Sequence, residues 1–466
     1  MDWTPYLMQA WEAVADWEAS WGAYEPHPTQ AVDPDRMEHA LHAYAERLRG
    51  NYPFFHPRYA GQMLKPPHPA AIVGYLAAMR INPNNHALDG GPPTGQMEKE
   101  VVRDLAAMVG FPEATLGHLT GGGTMANLEA LFVARQSHPG RTIAHSVEAH
   151  YTHRRMGEVL GLETVAIPTD AAGRMDLEAL EAALRSGTIG TVVLTAGTTG
   201  LGAVDPIADA LDLCRRYGCR VHVDAAYGGF FVLLADEEGP LAADVKRHLR
   251  AIGGCDSVAI DPHKHGLQPY GCGAVLFRDP AVGRFYRHDS PYTYFTSEAL
   301  HLGEISLECS RAGAAAGALW FTLRLLPLRA DAGLGPILAA CLRAARAWTS
   351  RLHRAETLQP YTEPELDIVT FFPRLNAPAA SRLDAAGAAL FRRAMEDPDD
   401  PVFLSVLRVD SERLRRVVPD FVADQPQVRI LRSVLMKPEH EAYVDHLHTR
   451  LAAWAADVPG MIPPTP

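Results

Sequence analysis

Apolar and polar positions change period along this chain, and the changes predict its architecture. From residue 142 to residue 264, short β-branched runs alternate with longer amphipathic stretches. Thr142-Ile-Ala-His145, Thr164-Val-Ala-Ile167, Thr191-Val-Val-Leu-Thr195, His222-Val-Asp224 and Ser257-Val-Ala-Ile260 are too short for helices and read as buried strands. Between them, helices are expected over 147–160, over 205–217, and from Asp176, an aspartate near a helix start. Sustained β-α-β alternation implies an α/β chain with a doubly wound, mostly parallel sheet. Upstream, an amphipathic helix is expected over 97–109, after a glycine-proline run that suits a loop. Downstream, a long helix over 312–328 leads to a region with helices at 337–352, 379–395 and 440–456. Its strands are expected at 367–372, 403–409 and 429–435, which makes a small C-terminal α+β domain.

The N-terminal stretch places Trp3, Leu7, Trp11, Val14, Trp17 and Trp21 at roughly helical spacing. So many tryptophans on one short helix need cover, either from its own chain or from a second subunit. The second subunit is favoured, because an N-terminal helix has little of its own chain nearby. Three regions follow: an N-terminal helical dimerisation segment (1–55), a large α/β domain (56–325) and the small domain (326–466).

Composition narrows the function. A chain of 466 residues, 47% hydrophobic and 21% charged, is globular and long enough for two or three domains with large cores. A formal net charge of −12 disfavours nucleic acid and anionic membranes as partners, since phosphate surfaces demand basic proteins. Met1-Asp-Trp-Thr-Pro lacks the basic-then-apolar layout of a signal peptide. No apolar run approaches the ~18–20 residues that span a bilayer. The six cysteines are scattered without a C-x-x-C spacing, as expected of reduced thiols in a cytoplasmic protein. Although there are 21 histidines, no H-E-x-x-H or Cys/His cluster occurs, so no metal site is expected.

The chemistry concentrates between His222 and Gly273. His222-Val-Asp224-Ala-Ala226-Tyr-Gly-Gly229 delivers an aspartate to the C-terminal end of a buried strand, where open α/β sheets bind ligands. Asp261-Pro-His263-Lys264-His-Gly-Leu presents a lysine in a tight turn. Pyridoxal phosphate needs this pair: an amine for the Schiff base and a carboxylate that keeps the pyridine nitrogen protonated. Ala226 is small enough to pack against one face of such a ring. A third element, Leu119-Thr120-Gly-Gly-Gly123-Thr124-Met-Ala-Asn127, puts glycines at a helix start, an anion site suited to phosphate. It fits neither G-x-G-x-x-G nor G-x-x-x-x-G-K-(S/T), which weakens nicotinamide and nucleotide-triphosphate readings.

These motifs resemble, in order, those of the pyridoxal phosphate-dependent group II amino-acid decarboxylases. That family has the fold-type-I transferase-like architecture, a mostly parallel seven-stranded sheet with a small C-terminal domain. The H-V-D-A-A-Y-x-G strand and the (N/D)-x-H-K turn carry the resemblance, with Lys264 as the Schiff-base lysine. It further implies that Gly123 and Thr124 hold the cofactor phosphate and that His150, in Ser146-Val-Glu-Ala-His150-Tyr-Thr, stacks on the ring. Thr199 of the Gly-Thr-Thr turn would touch the cofactor, and His263 and Asp261 would help to hold phosphate or lysine. Lys264, His150 and Asp224 are thus the candidate catalytic residues. On the substrate side the resemblance suggests Gln62 and Lys65, after His56-Pro-Arg58-Tyr59, together with Arg311 and Arg432. Arg311 would meet a phosphate or a carboxylate, and Arg432 the substrate α-carboxylate, whose geometry a guanidinium matches. The expected reaction is loss of CO2 from an L-amino acid, aromatic first and acidic second, by a homodimer. Protonation at Cα falls to His150 or to a tyrosine of the aromatic stretch 281–303, which holds Tyr286, Tyr292 and Tyr294. His265 follows the lysine where larger animal-type relatives have tryptophan, which aligns the chain with the microbial tyrosine/aspartate branch. Carbon–carbon cleavage or transamination with the same cofactor set is the alternative, and a non-enzymatic relative would lack Lys264.

Overall fold

In the computed structural model, residues 2–286, 305–418 and 420–458 are described. Tyr292, Tyr294 and most of the aromatic stretch lie outside them. Seven strands make the large sheet: β1 (Leu116–Thr120), β2 (Thr142–Ser146), β3 (Thr164–Ile167), β4 (Ile189–Thr195), β5 (Arg220–Ala225), β6 (Ser257–Ile260) and β7 (Gly273–Phe277). Their order is β1-β7-β6-β5-β4-β2-β3. From β6 to β3 every neighbouring pair is parallel. β7 runs against both β6 and β1, so β1 again shares the direction of the rest. The expected mostly parallel sheet is present, and it includes two strands, β1 and β7, beyond the five that were expected.

Crossover helices make the parallel pairing possible. Every residue of β4 is buried, which explains its unbroken apolar run. The helix Ile207–Tyr217 buries Ile207, Ala210, Leu211 and Cys214, one stripe at helical spacing. Gly218, at φ 66°, ends it in the left-handed conformation that glycine tolerates. Asp176 caps Leu177–Leu184 by accepting from the N–H groups of Glu178 and Ala179.

The second sheet is antiparallel: β8 (Leu358–Pro360), β9 (Ile368–Pro373), β10 (Ser405–Asp410) and β11 (Gln427–Val434), in order β10-β11-β9-β8. Helices Leu334–Arg354, Ala380–Glu396 and His440–Ala456 build a core with it around the fully buried Trp348.

Two helix starts differ from expectation by a full turn or more. The helix expected from residue 97 begins at Pro92, because proline is tolerated in a helix's first turn, where its missing N–H has no intrahelical partner. The helix expected from residue 147 begins at Thr152, leaving His150 in the turn before it. The N-terminal helix Thr4–Ala19 buries none of its residues. It rests on Pro69–Ile81, where Arg80 donates to Trp11 O at 2.8 Å and pairs with Glu18 at 2.6 Å. Trp17 and Trp21 stay exposed. Helix Pro34–Leu48 is exposed throughout, with Met37, Leu41, Tyr44 and Leu48 on one uncovered stripe.

The second sheet meets the N-terminal part of the chain at a seam rich in cations. Lys437, just beyond β11, donates to Tyr59 O, and Lys65 donates to Met436 O at 2.9 Å. Burial, reinforced by the nearby Lys65, pulls the Lys437 ammonium down to about 7 from 10.5. The unfolded chain therefore holds more protons than the folded one between about pH 7 and 10.5, and this residue makes folding stability rise with pH across that window. Lys437→Met is expected to flatten that rise. Urea midpoints of both proteins across the window check it, and an equal slope in the two would rule Lys437 out as its source.

Candidate active site

Four sequence-distant segments converge at the C-terminal ends of β4 and β5. Asp224, the penultimate residue of β5, is buried, and its Oδ1 accepts the Ala226 N–H at 3.2 Å. Its Oδ2 meets His153 Nε2 at 2.9 Å. Burial alone would raise this carboxyl, but the His153 hydrogen bond and charge, with Lys264 and His222, reverse the effect and hold it below the usual carboxylate range.

Lys264 follows β6 in a turn closed by its own N–H on Asp261 O at 2.9 Å. Its Nζ lies 3.0 Å from Asp261 Oδ2, and His263 Nε2 lies 3.5 Å from the same oxygen. His263 Nδ1 donates to Cys272 O at 2.8 Å, which ties the lysine turn to the start of β7. Gly266 must be glycine here, because a Cβ would sit 2.7 Å from Phe230 and from the Pro262 backbone.

The glycine loop links β1 to helix Gly123–Ser137. Gly122 adopts φ 143°, which L side chains rarely reach. A Cβ on Gly123 would lie 2.7 Å from Asp261 Oδ2, so the loop can approach the lysine turn only without side chains. Asn127 fixes the first helical turn by donating to Gly123 O at 2.8 Å, and its Oδ1 accepts from His222 Nε2 at 2.8 Å. His222 also meets Ser257 Oγ at 2.9 Å, and burial lowers it to about 3, so a neutral ring holds this cross-link.

These segments enclose a cavity of about 350 Å³. Gly123, Thr124, His150, Thr199, Asp224, Ala226, His263 and Lys264, all expected at a cofactor, line it together. His150 Nδ1 meets Thr152 Oγ1 at 2.6 Å, and burial lowers its pKa although Asp224 pulls it back up. Tyr151 lies beside it with ring centroids 4.2 Å apart and is exposed at the rim.

The four substrate-side expectations fare differently, since none of them lines the cavity. Arg311 is a correction: its guanidinium is buried against Glu98 and donates to Leu119 O at 2.7 Å and Asn85 O at 2.8 Å. It braces the start of the glycine loop through those bonds and is not part of the cavity lining. Arg432 adjoins the site through Thr199 O at 2.6 Å and Gly200 O at 3.1 Å, with Gln62 Oε1 and Ser405 Oγ as further acceptors. It holds the Thr199 turn, and four of its five N–H groups are committed to protein acceptors. Gln62 is exposed beside it, while Lys65 is bound to Met436 O. Tyr286 packs against Phe132 and Phe277, outside the cavity.

Sequence reasoning missed three residues here. Asn127 and Tyr227 stand inside the motifs without having been given a role, and His153 lies outside them. The spacing His150-x-x-His153 was the one visible signal for His153. Tyr227 lines the cavity and donates through its hydroxyl to Asp367, which also lies 3.2 Å from His265 Nε2. This buried trio joins the large sheet to the start of β9.

The residues fit pyridoxal phosphate. The side-chain-free loop at a helix N-terminus suits a phosphate. A lysine amine, a buried strand-end carboxylate and a histidine face share one cavity, and on this sheet that defines a fold-type-I pyridoxal phosphate enzyme. Residues 33–374 match the family model described as "Pyridoxal-dependent decarboxylase conserved domain", and the chain belongs to that family. It is 30% identical to the probable L-tyrosine/L-aspartate decarboxylase of Methanothermobacter thermautotrophicus over 72% of this chain and 88% of that protein. It is 28% identical to the L-tyrosine decarboxylase of Enterococcus faecium over 74% and 73%. The crystal structure of mouse CSAD shares the fold, with TM-score 0.77 at 23% identity over 97% of this chain and 98% of that one. The cofactor is pyridoxal 5'-phosphate and the reaction is amino-acid decarboxylation, in preference to carbon–carbon cleavage or transamination.

Asp224→Ala is expected to weaken pyridoxal phosphate binding about 10- to 100-fold, the size of one hydrogen bond to a charged group. Titrating the apo variant by absorbance checks this, and unchanged affinity would remove Asp224 from the pyridine nitrogen.

Proposed function

We propose that this protein decarboxylates an aromatic L-amino acid, acting as a homodimer in the cytoplasm. The observation that carries the site assignment is the convergence of Lys264, Asp224 and His150 on one cavity floored by the glycine loop. When bound, pyridoxal phosphate supplies an electron sink for the pair left at Cα as CO2 departs. Around it, Lys264 provides the amine for covalent attachment, and Asp224 keeps a proton on the ring nitrogen. Gly123 and Thr124 hold the phosphate, with the helix N-terminus favouring its charge. His150 would cover one ring face and Ala226 would leave room for close packing on the other, with Thr199 and His263 bordering the ring and the lysine. The residues around the cavity would have to orient the substrate so that its carboxylate, rather than its α-proton, is the group lost. A proton would then have to reach Cα, and His150, which lines the cavity, is our candidate donor among the described residues.

Two features support an aromatic substrate: the exposed Tyr151 ring at the rim beside His150, and the tyrosine decarboxylase names of the relatives. An acidic substrate is the second reading, because the archaeal relative's name includes aspartate. Arg432, beside the Thr199 turn, has one N–H left for a carboxylate, and Gln62 stands next to it. A homodimer would cover the apolar stripe of helix Pro34–Leu48, which the single chain leaves bare. We keep the division into a dimerisation segment (1–55), a cofactor domain (56–325) and a small domain (326–466).

Measuring CO2 release from L-tyrosine, L-tryptophan, L-phenylalanine, L-aspartate and L-glutamate tests the substrate. Aromatic substrates are expected to lead, and release from the acidic pair alone would overturn that order. Lys264→Ala is expected to abolish turnover while still binding the cofactor non-covalently. Retained full activity would sink the attachment site, as would borohydride reduction that labels another residue.

A further inference from the structure

His153 was not singled out by any motif, yet it makes the shortest side-chain contact of Asp224. It is the second residue of helix Thr152–Leu160 and its side chain is fully buried. Its Nε2 stands 2.9 Å from Asp224 Oδ2, while Asp224 Oδ1 takes the Ala226 N–H at 3.2 Å. A carboxylate offers about four lone-pair positions. The protein uses one on each oxygen, and both oxygens retain another for the cavity that Asp224 lines.

The arrangement has a consequence for charge. Taking a carboxylate out of water favours its neutral form, and a neutral Asp224 could not hold a proton on a pyridine nitrogen by electrostatic pairing. One donor from beneath opposes that drift. The other ionisable groups around the pair are His222, His145, His150 and Lys264. His222 already spends both ring nitrogens on Asn127 and Ser257, and Lys264 is held by Asp261. His145 bonds to Ser146 O, and His150 to Thr152. His153 is therefore the side chain that hydrogen-bonds the carboxylate directly.

We propose that His153 is a positioning residue: it fixes the Asp224 carboxylate and keeps it anionic, and so sets how firmly the cofactor's ring nitrogen stays protonated. The proposal rests on the assignment of Asp224 to that nitrogen. It extends the site one layer below the residues that touch the cofactor.

Three substitutions separate donation from space-filling. His153→Gln keeps an amide nitrogen near the place of Nε2, His153→Asn moves it back to the place of Nδ1, and His153→Leu fills the space without a donor. Apo proteins are titrated with pyridoxal phosphate, and the visible absorbance of each bound form is followed against pH. His153→Leu and His153→Asn are expected to bind about 10- to 100-fold more weakly, with the pH response of the bound cofactor displaced, while His153→Gln stays close to the unmodified protein. In an Asp224→Asn background, His153→Leu is expected to add little further loss, because the two residues act through one another. Equal losses in all three variants, or fully additive losses in the double variant, would make His153 a packing residue and overturn the proposal. So would a His153→Asn protein with unchanged affinity and spectrum, a result that also decides the case should His153→Leu fail to fold. If the unmodified protein binds the cofactor but Asp224→Asn alone changes nothing, the Asp224 assignment itself has failed, separately from His153.

Discussion

A single buried negative charge organises this molecule. Asp224 must stay ionised at the end of a strand with β4 on one side and β6 on the other, far from bulk water. Burial works against that charge, so the structure surrounds it with donors and cations: the Ala226 N–H, His153 and, across the cavity, Lys264. The central position of β5 is what lets all of them reach it. Crossover connections carry the strand ends to one edge of the sheet, and there the glycine loop, the Thr199 turn and the lysine turn meet.

Around that centre, polar side chains convert loops into fixed geometry. Asn127 and His222 pin the glycine loop to β5, and Glu98 with Arg311 pins the end of β1. From the opposite direction, Arg432 on β11 grips the carbonyls of Thr199 and Gly200. Asp367 takes the Tyr227 hydroxyl and faces His265, the residue that follows the lysine. The small antiparallel sheet thus reaches the site through buried hydrogen bonds, so removing one partner within the packed seam would leave the other unsatisfied away from water.

The N-terminal region obeys a different logic. Helices Thr4–Ala19 and Pro34–Leu48 contain no buried residue, although they carry tryptophans and an apolar stripe. Arg80 secures the first of them through Trp11 and Glu18. The second keeps its periodic apolar face open, a pattern that yields no stabilisation until another surface covers it.

The sequence by itself determined five of the sheet's seven strands and the chemistry at their C-terminal ends. Runs such as Thr191-Val-Val-Leu-Thr195 suit strands buried on both faces, and Gly122 before Thr124 takes a backbone conformation that other residues rarely reach. Asp224, Lys264 and the glycine loop were legible because local pattern and reactive residue coincide. Helix starts at Pro92 and Thr152 were misjudged by a few residues, since prolines are tolerated in a first turn and periodicity does not mark where a turn gives way to a helix. Tertiary structure alone decided the rest. That β7 runs against its neighbours depends on pairing with β1, more than 150 residues earlier. Arg311 and Arg432 look alike in sequence, but one is consumed by Glu98 and the other by the Thr199 turn. His153 acquires its importance from a contact with a residue 71 positions away. Periodicity encodes which face of an element is apolar, whereas the partner of a buried polar group is fixed only when distant segments pack and water is excluded.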